Sequence, residues 1–210
     1  MNSKKLSILL LNISNYDPAY PARTEIIELY GNKFPQFGHN ITWINPGNTN
    51  EILKRKFKDV NIYVVPSVPY TVSKSFLKKG FNIITHSLKK IKLVIEIIKI
   101  SNIDIIQTRD NVFDGLIALK IRKKYNIPFV YQLNFIQLET NLDYSNKSVL
   151  LALYKKFSLV ILNYILKKAD VILPISTYMQ NYLKKKNFEE QKIFTLPMGV
   201  NSKTFSPNQK

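Results

Sequence analysis

A few polar residues that follow apolar runs decide where chemistry could sit in this chain. Ser14-Asn15-Tyr16-Asp17-Pro18 leads through Ala19, Tyr20, Pro21 and Ala22 to Arg23. Asn15, Tyr16, Asp17 and Arg23 are of the types that hydrogen-bond a polyol. An Asx turn at Asp17-Pro18, with Arg23 on a helix surface, balances that reading. The stretch has neither Gly-x-Gly-x-x-Gly nor a P-loop lysine, so a dinucleotide or triphosphate cradle is not expected there. A second cluster is Gln107-Thr108-Arg109-Asp110. Arg109 could hold a phosphate or sugar hydroxyls in a bidentate fork, or pair with Asp110 and brace a helix start. Gln132, Asn134 and Gln137 add neutral groups suited to carbohydrate hydroxyls. No Ser/His/Asp or Cys/His set can be assembled, and no carboxylate spacing nominates an acid–base pair. His39 and His86 lie far apart without acidic neighbours, and cysteine is absent. No metal centre or cofactor is expected, and no catalytic residue is identified.

The elements that must position these residues are legible as alternating patterns. Apolar runs at Leu6–Ile13, Ile41–Asn45, Ile62–Val65, Ile103–Gln107, Phe129–Leu133, Val171–Leu173 and Ile193–Leu196 are mostly continuous, as in strands covered on both faces. Pro46, Pro66, Pro174 and Pro197 each follow such a run, where no ladder donor is needed. Helical patterns fall between, at Ala22–Phe37, Ser73–Ser101, Val112–Tyr125, Ser148–Lys168 and Thr177–Lys186, with Asn111 and Ser176 as N-caps. The alternation predicts one α/β Rossmann-like domain over residues 1–198: a mostly parallel sheet of about seven strands with helices on both faces. Ligands would then gather beyond the carboxyl ends of the strands. From Gly199 the pattern dissolves, so residues 199–210, beginning Gly199, Val200 and Asn201, read as the start of a linker.

Composition narrows the class further. At 45% hydrophobic and 21% charged residues the 210-residue chain is globular, and a lack of cysteine suits a reducing cytoplasm. The Met1–Ile13 stretch lacks a small-residue cleavage site, and Lys155 and Lys156 interrupt Val149–Leu166. A soluble protein, or one peripheral on the inner face of a membrane, is expected. The formal charge of +17 attracts polyanions, although AT-rich codon usage would also enrich lysine, isoleucine and asparagine. Two segments, 60–95 and 144–169, have no acidic residue at all. On the Ser148–Lys168 helix, Leu150, Leu153, Phe157, Val160, Ile161 and Tyr164 share one face and are expected to meet the sheet. Lys78, Lys79, Lys89, Lys90, Lys155 and Lys156, with Leu159, Leu162 and Leu166, would then form a contact for an anionic membrane. Those leucines packing on a neighbouring helix or domain is the alternative.

The closing segment is the most specific signal. Lys168-Ala169-Asp170-Val171-Ile172-Leu173-Pro174-Ile175-Ser176 precedes a short helix, and Lys192-Ile193-Phe194-Thr195-Leu196-Pro197-Met198-Gly199-Val200-Asn201-Ser202-Lys203-Thr204-Phe205-Ser206-Pro207 follows it. This resembles the end of the N-terminal domain in family 4 GT-B glycosyltransferases, where an "A-D" strand, a helix and a "G-V-D/N-x-x-x-F-x-P" crossing recur. Asp104-Ile105-Ile106-Gln107 and Asn126-Ile127-Pro128-Phe129-Val130 fit the same family upstream. The resemblance implies the acceptor-side half of a transferase, with the sugar-nucleotide donor held mainly by a C-terminal domain outside these residues. It further implies retaining, metal-independent transfer to a glycan or lipid-linked acceptor, and no transfer by this half alone. Two departures stand out: Asn15–Arg23 lacks the family's glycine-rich loop, and Leu133-Asn134 replaces its histidine, so that catalytic role is not carried over. A non-catalytic basic binding module and a partner subunit of a split transferase remain open. Nucleic acid is the less favoured partner, because no basic segment interleaved with aromatics is present.

Overall fold

The computed structural model describes residues 4–11, 14–19, 21–67, 76–134, 149–197 and 199. Its strands are β1 (Ser7–Leu11), β2 (Asn40–Gly47), β3 (Leu53–Phe57), β4 (Val60–Pro66), β5 (Ile105–Arg109), β6 (Phe129–Leu133) and β7 (Val171–Pro174). They form one seven-stranded sheet in the order β3-β4-β2-β1-β5-β6-β7. Every pairing is parallel except that of β3 with β4.

The helices are α1 (Thr24–Ile26), a π-helical turn (Ile27–Lys33) and α2 (Phe34–Gln36) in one run, then α3 (Phe76–Ile100), α4 (Val112–Tyr125), α5 (Val149–Lys168) and α6 (Thr177–Lys185). From β1 the chain crosses one way to β2; from β4 it returns and then steps outward from β5 to β7. Right-handed crossovers therefore put α1–α2 on one face and α3–α6 on the other. The two apolar cores follow this division. Leu9, Leu11, Ile106, Tyr131 and Ile172 pack with Val94, Ile117, Ile121 and Ile165. Their alternating neighbours Ile8, Leu10, Trp43, Ile62 and Val64 pack with Ile26 and Tyr30.

Local signals set the boundaries. Asn111 caps α4 by accepting from Phe113 N at 2.9 Å and Asp114 N at 3.1 Å. Asn126, left-handed at φ 54°, closes the same helix two residues before Pro128. Ser176 caps α6 through Met179 N. The acids of the closing and upstream motifs act at the amino ends of strands. Asp170 holds Arg122 through two 2.6 Å bonds and also accepts from Phe129 N, while Asp104 accepts from Ser7 N at 2.8 Å.

The structure differs from the sequence reading in three places. β3 was not expected: Lys54-Arg55-Lys56 reads as a charged run, yet such residues suit an exposed antiparallel edge. Among the described residues Ile193–Leu196 makes a single β-bridge, Ile193 with Ile172. Pro174 ends β7 there and has no N–H to return, so the ladder stays one-sided.

The third difference is the orientation of α5. Leu153, Phe157, Val160 and Tyr164 were expected against the sheet but are 54–65% exposed, whereas Ser158, Leu162, Ile165 and Leu166 are buried. Gly115 explains the choice. A Cβ there would lie 2.9 Å from Ile165 Cδ1, so the missing side chain lets α5 dock on α4 through the Ile165 face. Leu162 and Leu166 belong to the core and Leu159 is half-buried, so the first two cannot serve the membrane contact expected of them.

Candidate functional site

The helices after β1 and β5, neighbouring parallel strands, leave on opposite faces, so a crevice opens at their carboxyl ends. Arg109 is the last residue of β5, and its side chain is 2% exposed. Its Nη2 donates to Glu25 Oε1 at 2.8 Å, from the first turn of α1. Its Nε stands 3.8 Å from Asp110 Oδ2, an ion pair too long for a hydrogen bond. Nε and Nη1 are buried and make no hydrogen bond among the described residues. A guanidinium so placed has donors on two different edges that Glu25 does not take up.

Asp110 follows in a left-handed conformation, φ 50°, which is strained for a residue other than glycine. The turn aims its carboxylate at β6, where Asn134 donates both its backbone N–H and Nδ2 at 2.7 Å. A chain of amides runs inward from there. Gln132 donates to Asn134 Oδ1 at 3.4 Å, and Gln107 donates to Gln132 Oε1 at 3.2 Å and to the Tyr30 hydroxyl. The alternation of β5 and β6 puts Gln107, Arg109, Gln132 and Asn134 on the face opposite α3–α6. All four are buried.

Electrostatics fixes the protonation of the group. Burial works against the Glu25 carboxylate, but its own backbone N–H, the Arg109 hydrogen bond and the charges of Arg109 and Arg23 outweigh it, so Glu25 titrates below its ordinary range. Burial pushes the Tyr30 phenol up to about 12, so it stays a neutral hydroxyl. The cluster thus offers one cation and two carboxylates around uncharged amides, an arrangement that fits hydroxyl-rich ligands.

Arg109, Asp110 and Asn134, named from the sequence, come together, and the charge of Arg23 is felt at Glu25. Asn15, Tyr16 and Asp17 lie on the β1 loop at the same rim. No hydrogen bond or ion pair among the described residues links these three to Arg109. Asp17 Oδ1 accepts from Ala19 N at 2.8 Å, which is the Asx turn weighed against a ligand role, and Tyr16 N donates to Pro46 O. Gln137, Val200 and Asn201 lie outside the described residues, and Gly199 is exposed. Glu25 and Tyr30 were not singled out from the sequence. Both sit in a helix whose pattern looks ordinary, and their partners are 84 and 77 residues away.

Of the lysines expected at a membrane, Lys90 is instead 2% exposed and bonded to Asp114 Oδ1 at 2.7 Å. Helix α3 carries it inward over α4, so it has no reach to a lipid surface. Lys89 and Lys156 are exposed; the side chains of Lys78, Lys79 and Lys155 lie outside the described residues. His39 accepts from Leu6 N, and His86 Nδ1 pairs with Pro66 O at 3.0 Å.

A doubly wound sheet with polar residues gathered at its switch point is one Rossmann-like half of a GT-B fold, and solved structures agree. Sucrose-phosphate synthase from Thermosynechococcus elongatus superposes with a TM-score of 0.67 at 14% identity, covering 95% of this chain and 49% of that one. The calicheamicin glycosyltransferase CalG4 gives 0.60 at 13% identity, covering 95% and 54%. HepE of Anabaena, solved with UDP-glucose, gives 0.52 at 15% identity, covering 96% and 47%. At such identities the likeness is one of fold, and the chain spans about half the length of each of these proteins. No curated protein matches the sequence. The sequence profile described as Glycosyltransferase Family 4 matches residues 27–204, and the chain belongs to that family.

Proposed function

We propose that this domain holds the acceptor in a transferase that moves a sugar from a nucleotide sugar to a glycan or lipid-linked acceptor of the cell envelope. Transfer is retaining and metal-independent. Residues 1–198 form the acceptor lobe, residues 199–210 begin the connection to a donor-binding lobe, and this lobe alone transfers nothing. The protein works in the cytoplasm, at the inner face of the membrane.

One observation carries the site assignment: a buried Arg109 whose Nε and Nη1 make no hydrogen bond among the described residues, beside two carboxylates at the switch point. In this reading Arg109 donates to an acceptor oxygen or phosphate, while Asp110 and Asn134 orient hydroxyls. Asn15, Tyr16, Asp17 and Arg23 line the same rim from the β1 side. HepE, of like fold, was solved with UDP-glucose, which supports a nucleotide-sugar donor for a transferase containing this domain.

The test is transfer by a chain that carries both lobes. Two charge-assisted hydrogen bonds are worth about 1.5–3 kcal/mol each, so Arg109→Ala should raise the acceptor KM at least about a hundredfold and leave the donor KM unchanged. A donor KM that rises instead, or an acceptor KM that stays put, contradicts the assignment. The 210-residue chain should turn over no UDP-glucose, and turnover would overturn the division of labour between lobes.

A further inference from the structure

Helices α3, α4 and α5 lie side by side on one face, with α4 in contact with both neighbours. Each carries an outward stripe that changes character along its length. On α3, Phe81, Ile84 and Leu88 are 68%, 58% and 62% exposed, and the same three-to-four spacing continues into exposed Lys92, Glu96 and Lys99, with Ile100 exposed at the end. On α4, half-exposed Leu116 is followed by exposed Lys120 and Lys123. On α5, Leu153, Phe157, Val160 and Tyr164 are 59%, 65%, 60% and 54% exposed, and the stripe ends in exposed Lys167 and Lys168. All three helices run the same way, so the apolar ends fall together and the lysine ends fall together.

Helix lengths tell which end projects. All three helices feed within a few residues into β5, β6 and β7, so their carboxyl ends lie near one level, at the amino rim of the sheet. At about 1.5 Å per residue, α3 is ~37 Å long, α5 ~30 Å and α4 ~21 Å. The amino ends of α3 and α5 therefore overhang that of α4 by ~16 and ~9 Å on the same scale. Phe81, Ile84 and Leu153 sit on these overhangs. An apolar rim projects at the carboxyl edge of the sheet, and a belt of lysines lies behind it.

We infer that this face docks on an anionic lipid bilayer, with the aromatic and aliphatic ends of α3 and α5 inserted among the acyl chains and the lysine belt at the lipid phosphates. The charge pattern selects this occupant over a second copy of the chain. Pairing two copies stripe to stripe would bring the two lysine belts together, whereas anionic headgroups neutralise them. An apolar edge backed by cations is what an interfacial contact needs, because neither insertion nor attraction alone holds a protein firmly. No helix among the described residues is long and apolar enough to cross a membrane, and the proposal requires none to do so. This surface is distinct from that sequence-level expectation: Phe81, Ile84, Leu88, Leu153, Phe157 and Val160 replace Leu162 and Leu166. It lies opposite the face bearing Arg109 and is independent of what that site binds.

Sedimentation with vesicles of phosphatidylcholine alone, and of phosphatidylcholine with phosphatidylglycerol, tests the proposal on the unmodified chain and on exposed-stripe variants. The chain should bind the mixed vesicles much more strongly, and less so at high salt. Phe157→Ser and Phe81→Ser should each weaken binding roughly tenfold. Lys120→Gln with Lys123→Gln should weaken it by about thirtyfold. These positions are solvent-exposed, and unchanged circular dichroism and Tm would show that the variants fold. Equal or negligible binding to both vesicle types overturns the proposal, as does binding indifferent to Phe81 and Phe157. Dimers in ultracentrifugation that Phe157→Ser dissolves would also overturn it, by making a second copy the occupant.

Discussion

Replacing Lys90 by methionine keeps most of the apolar stem and removes the charge, and the consequence can be worked from the structure. Lys90 Nζ lies 2.7 Å from Asp114 Oδ1, with both side chains 3% exposed. Asp114 Oδ2 is buried without a hydrogen bond among the described residues, so Lys90 is the main compensation for that carboxylate. Breaking a buried pair by deleting one partner costs about 3–5 kcal/mol, a large share of the 5–15 kcal/mol typical of a whole domain. At ~2–4 °C per kcal/mol for a chain of this size, Lys90→Met should lower Tm by about 6–20 °C. Urea titration followed by circular dichroism reads the same loss as a lower midpoint at unchanged slope. The double variant Lys90→Met, Asp114→Leu should recover most of it, because no buried charge is then left alone. His86 offers a second readout. Burial and then the Lys90 charge hold its pKa below the ordinary value, so losing Lys90 should raise the His86 midpoint seen by NMR. A single variant within about 1 kcal/mol of the parent would refute the reasoning, as would a double variant worse than the single.

Other consequences are simpler. Gly115→Val places atoms where a Cβ alone would stand 2.9 Å from Ile165 and 3.2 Å from Tyr131, so it should cost about 1–3 kcal/mol or more in urea. Asp170 is held below its ordinary pKa of 3.8 by the Arg122 hydrogen bonds, against a burial that acts the other way. A lowered carboxylate stabilises the fold above the unfolded pKa and loses that contribution as pH falls through the folded one. Asp170→Asn should therefore be less stable than the parent at neutral pH, and the gap should close below about pH 4 in thermal melts. His86 acts in the same direction at milder acidity. Its folded pKa lies below 6.5, so the unfolded chain takes up more protons and stability should fall as pH drops below that value.

How much was legible from sequence depends on whether the signal was local. Asn111, Ser176 and the buried runs of β1, β2, β5 and β6 announce themselves within a few residues, and the structure keeps them. The orientation of α5 was not legible, because apolar residues surround that helix and only the absent side chain of Gly115, some fifty positions away, selects the buried side. Lys90 misled for a related reason. A lysine beside Lys89 reads as surface, and only the packing of α3 on α4 supplies Asp114. At the site, Arg109, Asp110 and Asn134 could be named from strand ends, whereas Glu25 and Tyr30 required the crossing of α1 over β5. The acids at 104 and 170 show the converse. Their motif helped to place the family, and their geometry gives them clasp roles at the amino ends of strands, remote from the rim where ligands gather.

The central claim is that Arg109 reserves two donors for an acceptor at the β1–β5 switch point. Side-chain Nε–H resonances of Arg23, Arg55, Arg109 and Arg122, assigned by substitution, read this directly during titration with oligosaccharides and phosphorylated sugars. The account predicts a saturable shift confined to Arg109, with a smaller response at Arg23 through Glu25. An Arg109 signal that stays fixed with every ligand, or that moves no more than exposed Arg55, would contradict it.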